Sequence, residues 1–318
     1  MNPKILVTGA NGFVGSQLII RLKEDSKSLV VGAVRKETNE SIHSGEYCVV
    51  GNIDAQTDWR AALRGIDVVV HTAARAHVMK DEENNPLAAY QKINVEGTLN
   101  LAMQAARAGI RRFIFISSIK VNGETTPLDQ PFIADDIESP QDAYGISKMQ
   151  AEQGLKQIAS ETGMEIVIIR SPLVYGPGVK GNFATMINMV EKGLPLPLGG
   201  VNNKRSLIAV DNLVDLIITC IEQPAAANQV FLAGDGEDLS TTELLRALAR
   251  AMGKPSRLIS VPAWVLVLGA TILGKKAMTQ RLLGSLQVDI SKTKNVLGWK
   301  PLLNVEEGLR RAVDNNRH

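Results

Sequence analysis

Short apolar runs alternate with longer stretches of helical periodicity through the first half of the chain. The runs 4–8, 29–34, 47–50, 67–71, 112–117 and 165–170, with another at 229–233, predict strands. Apolar positions at helical spacing predict helices over 13–23, 57–64, 87–108, 142–160, 183–192, 211–222 and 241–252. Strands alternating with helices predict an α/β fold: a doubly wound parallel sheet, covered on both faces and joined by right-handed crossovers. After Arg170 the texture changes. Pro and Gly cluster in 172–181 and 193–200, as suits the walls of a pocket, and 239–318 reads as mostly helical.

Composition adds bounds. With 318 residues, 45% hydrophobic and 21% charged, the chain can bury the core of one large domain or one and a half. A net charge of +2 without a long basic run gives no reason to expect nucleic acid. Two cysteines, Cys48 and Cys220, lie in or beside apolar stretches, and no C-x-x-C points to a metal or redox centre. No metal is expected. The apolar stretch from Val261 to Leu273 is broken by Pro262 and Gly269 and is too short to span a bilayer. It reads as a packed or surface-lying helix. A strand starting at residue 4 leaves no room for a signal peptide, so cytoplasm is the expected location.

Two motifs carry chemistry. Lys4–Val7 leads into Thr8-Gly9-Ala10-Asn11-Gly12-Phe13-Val14-Gly15 and then a helix. Glycines between a strand and a helix let backbone N–H groups approach a pyrophosphate at the helix N-terminus. The spacing Gly-x-x-Gly-x-x-Gly is one residue longer than the common dinucleotide fingerprint. The second motif is Ser117-Ser118 followed by Tyr144-Gly145-Ile146-Ser147-Lys148. Tyr and Lys four apart share a helix face. A phenol with a pKa of about 10 is a weak base at neutral pH, and an ammonium beside it favours the phenolate. With a Ser hydroxyl, the set can move a proton on an alcohol or carbonyl. The glycine turn, His71-Thr72-Ala73-Ala74 and Ser117-Ser118 all end strands, where ligands sit in such sheets.

Together these motifs resemble the extended short-chain dehydrogenase/reductase family, with further matching segments at 71–74, 93–98, 170–177, 205–211 and 297–301. The resemblance implies a Rossmann fold with a smaller, mostly helical C-terminal substrate lobe. A dinucleotide-binding domain would span 1–170, with 206–238 returning to it, and the lobe would take 171–205 and 239–318. It implies Ser118, Tyr144 and Lys148 as the catalytic set. Gly9, Gly12, Phe13, Val14 and Gly15, the loop residues Ala73 and Ala74, and Asn94 would hold the cofactor, together with Tyr144 and Lys148. The strand 29–34 ends in Arg35-Lys36 where NAD-binding members carry an acid, which favours NADP(H), with NAD(H) possible. Asn52-Ile53 replaces the Asp that usually contacts the adenine.

Dehydratases of this family carry Asp-Glu just after the catalytic strand, and decarboxylating members carry Glu. Here Ile119 and Lys120 follow Ser118, which argues against elimination and decarboxylation. The implied substrate is a UDP-sugar. Arg205 is the candidate diphosphate clamp, because a guanidinium makes parallel charge-assisted hydrogen bonds, and Arg281 is a second candidate. Asn182 and His77 are further substrate candidates, Asn182 serving equally well as a helix N-cap. Leu173 stands where relatives have a sugar-contacting Asn. The stretches 71–79, 285–289 and 296–301 resemble bacterial UDP-N-acetylquinovosamine dehydrogenases, which reduce a 4-keto sugar for surface polysaccharide. The expected activity is therefore NAD(P)H-dependent 4-keto reduction of a UDP-2-acetamido-2,6-dideoxy-hexos-4-ulose. UDP-glucose or UDP-N-acetylglucosamine 4-epimerisation is the alternative, and a non-catalytic dinucleotide-binding regulator the second. A homodimer paired through 87–108 and 142–160 is implied by the same resemblance.

Overall fold

The computed structural model describes residues 2–25, 28–37, 46–76, 85–272 and 282–314. Seven parallel strands form the main sheet: β1 (Lys4–Thr8), β2 (Leu29–Val34), β3 (Glu46–Val49), β4 (Val68–His71), β5 (Arg112–Ser118), β6 (Glu165–Ser171) and β9 (Gln229–Leu232). Their order is β3-β2-β1-β4-β5-β6-β9, so the direction of winding reverses between β1 and β4. That reversal opens the crevice in which doubly wound sheets bind ligands. Apart from the partly exposed edge strand β3, the strands are nearly continuous apolar runs because both faces are covered.

One face is packed by α1 (Phe13–Glu24) and α6 (Val210–Glu222), through Leu18, Leu22, Leu213 and Ile217. The other is packed by α3 (Thr98–Arg107) and α4 (Ala143–Thr162), through Leu101, Ala105, Leu155 and Ile158. Each of these leucines and isoleucines contributes about 2 kcal/mol by leaving water. The α3–α4 contact is close at Gly154, where a Cβ would lie 2.6 Å from Leu99 Cδ2 and the Leu99 side chain would have to move. Asp142 starts α4 by accepting the Gly145 N–H at 2.7 Å, and Gly163 ends it at φ +75°.

A smaller sheet, β10-β8-β7, has β8 (Arg205–Ala209) between β7 (Leu173–Tyr175) and β10 (Asp238–Leu239). Beside it, α5 (Gly181–Glu191), α7 (Thr241–Ala251) and the helix Val305–Asp314 enclose a third core around Phe183, Leu245, Leu248 and Leu309. The chain near 285–289 stitches the two parts together. Ser206 N–H donates to Leu286 O at 2.9 Å, and Phe132 N–H donates to Gln287 O at 2.9 Å.

The expected helix over 57–64 does not form; residues 60–65 are turns. Side chains of α3 take the backbone groups that a helix would need. Gln104 Nε2 and Asn100 Nδ2 donate to Thr57 O at 2.8 and 2.9 Å, and Gln104 Oε1 accepts the Trp59 N–H at 2.9 Å. The expected helix 87–108 is α2 (Pro86–Tyr90), a π-helical segment (Gln91–Gly97) and α3 in succession.

Candidate active site

Gly9 ends β1 at φ +67°, and a Cβ there would stand 2.9 Å from Ala73 N. A Cβ on Gly15 would lie 2.3 Å from Gly9 O. Only hydrogen fits at these two positions, so the turn is drawn tightly against the end of β4. Gly12, the N-cap of α1, offers no side chain to the helix's first N–H groups, which therefore suit a phosphate. Phe13 and Val14 form the first turn. A dinucleotide thus fits the residues present: a bare helix start, a flat glycine turn, and half-buried Ala73 and Ala74 alongside.

His71 supports this floor. It is buried, with Nδ1 2.7 Å from Thr8 Oγ1 and Nε2 3.0 Å from Thr98 Oγ1. Burial, assisted by the Lys148 charge, holds its pKa down to about 3, so the ring is neutral and ties β1, β4 and α3 together. Asn94 sits inside the π-helical segment, a distortion common at functional sites. Its amide clasps the backbone of Arg75, accepting the N–H at 2.8 Å and donating to the carbonyl at 3.1 Å, and also donates to Ser147 Oγ at 3.0 Å.

Ser118 closes β5, and its hydroxyl accepts the Lys120 N–H at 3.3 Å. Tyr144 lies in the first turn of α4, which abuts this corner: a Cβ on Gly145 would be 2.9 Å from Lys120 O. Tyr90 meets the Tyr144 ring edge-on at 6.0 Å. One turn on, buried Lys148 donates to Ile116 O at 2.9 Å and stands 4.3 Å from the Phe115 ring. Burial brings its pKa down to about 7, and the Glu152 charge pulls it back up. The three expected catalytic residues therefore share one corner. The expected acidified phenol is corrected: burial, then the charges of Asp142 and Tyr90, hold Tyr144 above its ordinary value. The ammonium meant to lower it is engaged with a backbone carbonyl, 6.0 Å from the Tyr144 ring.

A buried polar network that the sequence motifs do not announce lies directly behind this corner. Glu152, wholly buried, accepts Ser117 Oγ–H at 2.5 Å and Arg170 Nη2–H at 2.6 Å. Arg170 also donates to Asn122 Oδ1 at 3.0 Å and Glu138 Oε1 at 2.8 Å. Tyr144, Lys148 and Glu152 recur every four residues, a signal that was available in the chain. Lys120 pairs with Asp142 and with Glu124 at 2.7 Å, and Ile119 is buried. Neither is disposed to act as an acid or base.

The other candidates are more scattered. Arg35 and Lys36 are exposed just past β2. Asn52 is exposed, while Ile53 packs on Gly97, where a Cβ would lie 2.7 Å from Ile53 Cγ2. Arg205 begins β8 and donates to Gly284 O at 3.1 Å. Asn182 is exposed in the first turn of α5; the N-cap is Lys180, so Asn182 does not cap the helix. His77 and Arg281 lie outside the described residues.

Residues 5–234 match the model of the NAD dependent epimerase/dehydratase family. The chain belongs to that family. It is 50% identical over 314 residues, covering 98% of the chain and 95% of the relative, to a UDP-glucose 4-epimerase of Vibrio cholerae. A UDP-glucose 4-epimerase of Mycolicibacterium smegmatis is 29% identical, covering 98% of this chain and 97% of its own. These relatives carry the epimerase name rather than that of a UDP-N-acetylquinovosamine dehydrogenase. Among solved structures, UDP-N-acetylglucosamine 4-epimerase from Bacillus cereus aligns with TM-score 0.80 at 21% identity, covering 99% of this chain and 100% of that one. UDP-glucuronic acid 4-epimerase from the same species, in complex with NAD, aligns with TM-score 0.79 at 24% identity, covering 98% of each chain. These likenesses show the fold. No helix among the described residues is long and apolar enough to cross a membrane.

Proposed function

We propose that this chain inverts C4 of a UDP-hexose, as a UDP-glucose-type 4-epimerase. The observation that carries the reading is 50% identity over almost the full length of a UDP-glucose 4-epimerase, joined to a complete Ser118, Tyr144 and Lys148 corner. Bound NAD would supply hydride exchange at C4. Tyr144 removes the O4 proton and returns it after the sugar has turned over. Ser118 hydrogen-bonds O4 in both orientations, and Lys148 supplies the nearby positive charge. Arg205 holds the diphosphate end, so that the hexose alone reorients. Elimination is disfavoured by Ile119 and by the pairing of Lys120 with Glu124 and Asp142. The same reading includes a homodimer through α3 and α4, and a dinucleotide-binding part of 1–170 with 206–238 beside a substrate part of 171–205 and 239–318.

A second reading, NADPH-dependent reduction of a UDP-4-keto sugar, is favoured by exposed Arg35 and Lys36 at the end of β2 and by Leu173 in β7. One experiment separates the two. The purified protein is incubated with UDP-glucose and UDP-N-acetylglucosamine without added nucleotide, and product configuration is followed by NMR. The epimerase forms the C4 epimer and retains NAD through gel filtration. Absence of epimer, with stoichiometric NADPH consumption on a UDP-4-keto sugar, overturns it in favour of the reductase.

A further inference from the structure

Helix α8 (Ala263–Ile272) turns apolar side chains outward. Trp264 is 69% exposed, and Val265, Val267 and Leu268 are exposed with it. Positions 264, 265, 267 and 268 fall on one side of a helix. The apolar surface continues along the chain that leads into it. Residues 194–199 run beside 257–261, with Leu196 N–H donating to Arg257 O at 2.9 Å and Ile259 N–H to Leu196 O at 2.8 Å. Leu194 and Ile259 on these segments are also exposed. An uncharged face of this extent is uncommon on a soluble monomer.

The charge around it decides what it meets. From Leu244 to Val288 the chain contains no Asp or Glu, and its charged residues are all Lys and Arg. Arg246 and Arg250 project from one side of α7, and Lys254 and Arg257 follow at its end; all four are exposed. Lys254 donates to Glu191 O at 2.6 Å and Arg257 to Gly193 O at 3.4 Å, which fixes both cations at the edge carrying Leu194. Glu191 is followed by Lys192, and its backbone carbonyl takes the Lys254 ammonium. A second copy of this chain meeting the face about a two-fold axis would bring cation against cation. An anionic lipid surface meets the same pattern with attraction, taking the apolar side chains below the headgroups and the cations at their level. The helix spans only about 15 Å, half the hydrocarbon thickness, and so could enter one leaflet but not cross both. Trp suits that interfacial depth.

We propose that α8, with Leu194 and Ile259 and the cations Arg250, Lys254 and Arg257, docks this protein on an anionic lipid bilayer. The test is sedimentation of the full chain with vesicles of phosphatidylcholine alone and of phosphatidylcholine with phosphatidylglycerol. Binding is expected on the anionic vesicles, falling with salt and by about fivefold for each cation reversed in Arg250→Glu and Arg257→Glu. Leu268→Glu is expected to abolish it, with melting temperature and dinucleotide binding unchanged. Trp264 gives an independent readout, because Trp59 and Trp299 are buried. Emission should shift to the blue on the anionic vesicles, and the shift should vanish in Trp264→Phe. The proposal is overturned if the full chain does not sediment with anionic vesicles, or if Leu268→Glu binds them as well as the parent does. It is equally overturned if Leu268→Glu only converts a dimer to a monomer.

Discussion

Replacing Lys148 by Met removes a charge that the fold accommodates at an energetic cost. The amine is 2% exposed, and its pKa falls from 10.5 to about 7. Between those two values the unfolded chain binds one proton more than the folded chain, so stability rises with pH through that window. The rise is ~1.4 kcal/mol per pH unit and ~5 kcal/mol across the whole window. Below about pH 7 the penalty is present in full, and above 10.5 it is gone. Met has a similar length and no charge to desolvate, but it forfeits the bond to Ile116 O and the contact with the Phe115 ring. Those losses cost about 2 kcal/mol together. Lys148→Met should therefore be inactive yet more stable than the parent by about 3 kcal/mol at neutral pH. The advantage should shrink with rising pH and change sign at about pH 9. Urea denaturation of both proteins across that window measures the difference directly, since all shared titrations cancel. A difference that stays constant with pH would refute the reasoning.

Other substitutions probe the remaining parts of the corner. Tyr144→Phe should abolish turnover while dinucleotide affinity, followed by calorimetry, stays within about twofold. Glu152→Gln should lower the midpoint of urea unfolding, because Arg170 loses its closest carboxylate, a change of about 3 kcal/mol for a buried pair. It should also move the alkaline limb of the pH–rate profile downward, since the Glu152 charge raises the Lys148 pKa; an unmoved limb would separate Glu152 from catalysis. Gly15→Ala drives a methyl to 2.3 Å from Gly9 O and should abolish dinucleotide retention, with a lower melting temperature as the companion readout. Arg35→Asp should weaken NADPH far more than NADH if the exposed cations after β2 read a 2′-phosphate, and equal weakening would assign them to solvent.

The sheet was legible because its strands are buried on both faces and so read as continuous apolar runs, as in Val68–His71 and Arg112–Ser118. The failed helix at 57–64 shows the limit of periodicity. Its apolar positions point inward as expected, with Trp59 buried, but Asn100 and Gln104 claim the backbone from outside the segment. No local pattern contains that competition. Two strands of the smaller sheet were hidden for another reason: Leu173–Tyr175 and Asp238–Leu239 are too short to show a period.

The active corner divides along the same line. Which residues face each other followed from helical spacing, since Tyr144 and Lys148 are one turn apart. What charge they hold did not, because desolvation is set by the three-dimensional surroundings. The phenol was expected to be acidified by the ammonium, and the folded surroundings oppose that twice over. Burial raises the Tyr144 pKa and lowers that of Lys148, so each group is pushed toward its uncharged form. Glu152 opposes the second of these effects, and is itself paired with Arg170 at 2.6 Å. Only a positive charge entering such a corner would favour the Tyr144 phenolate, since the negative charge of Asp142 already opposes it. The buried pair behind it keeps Lys148 within reach of its protonated form near neutral pH, the form that the proposed epimerisation uses.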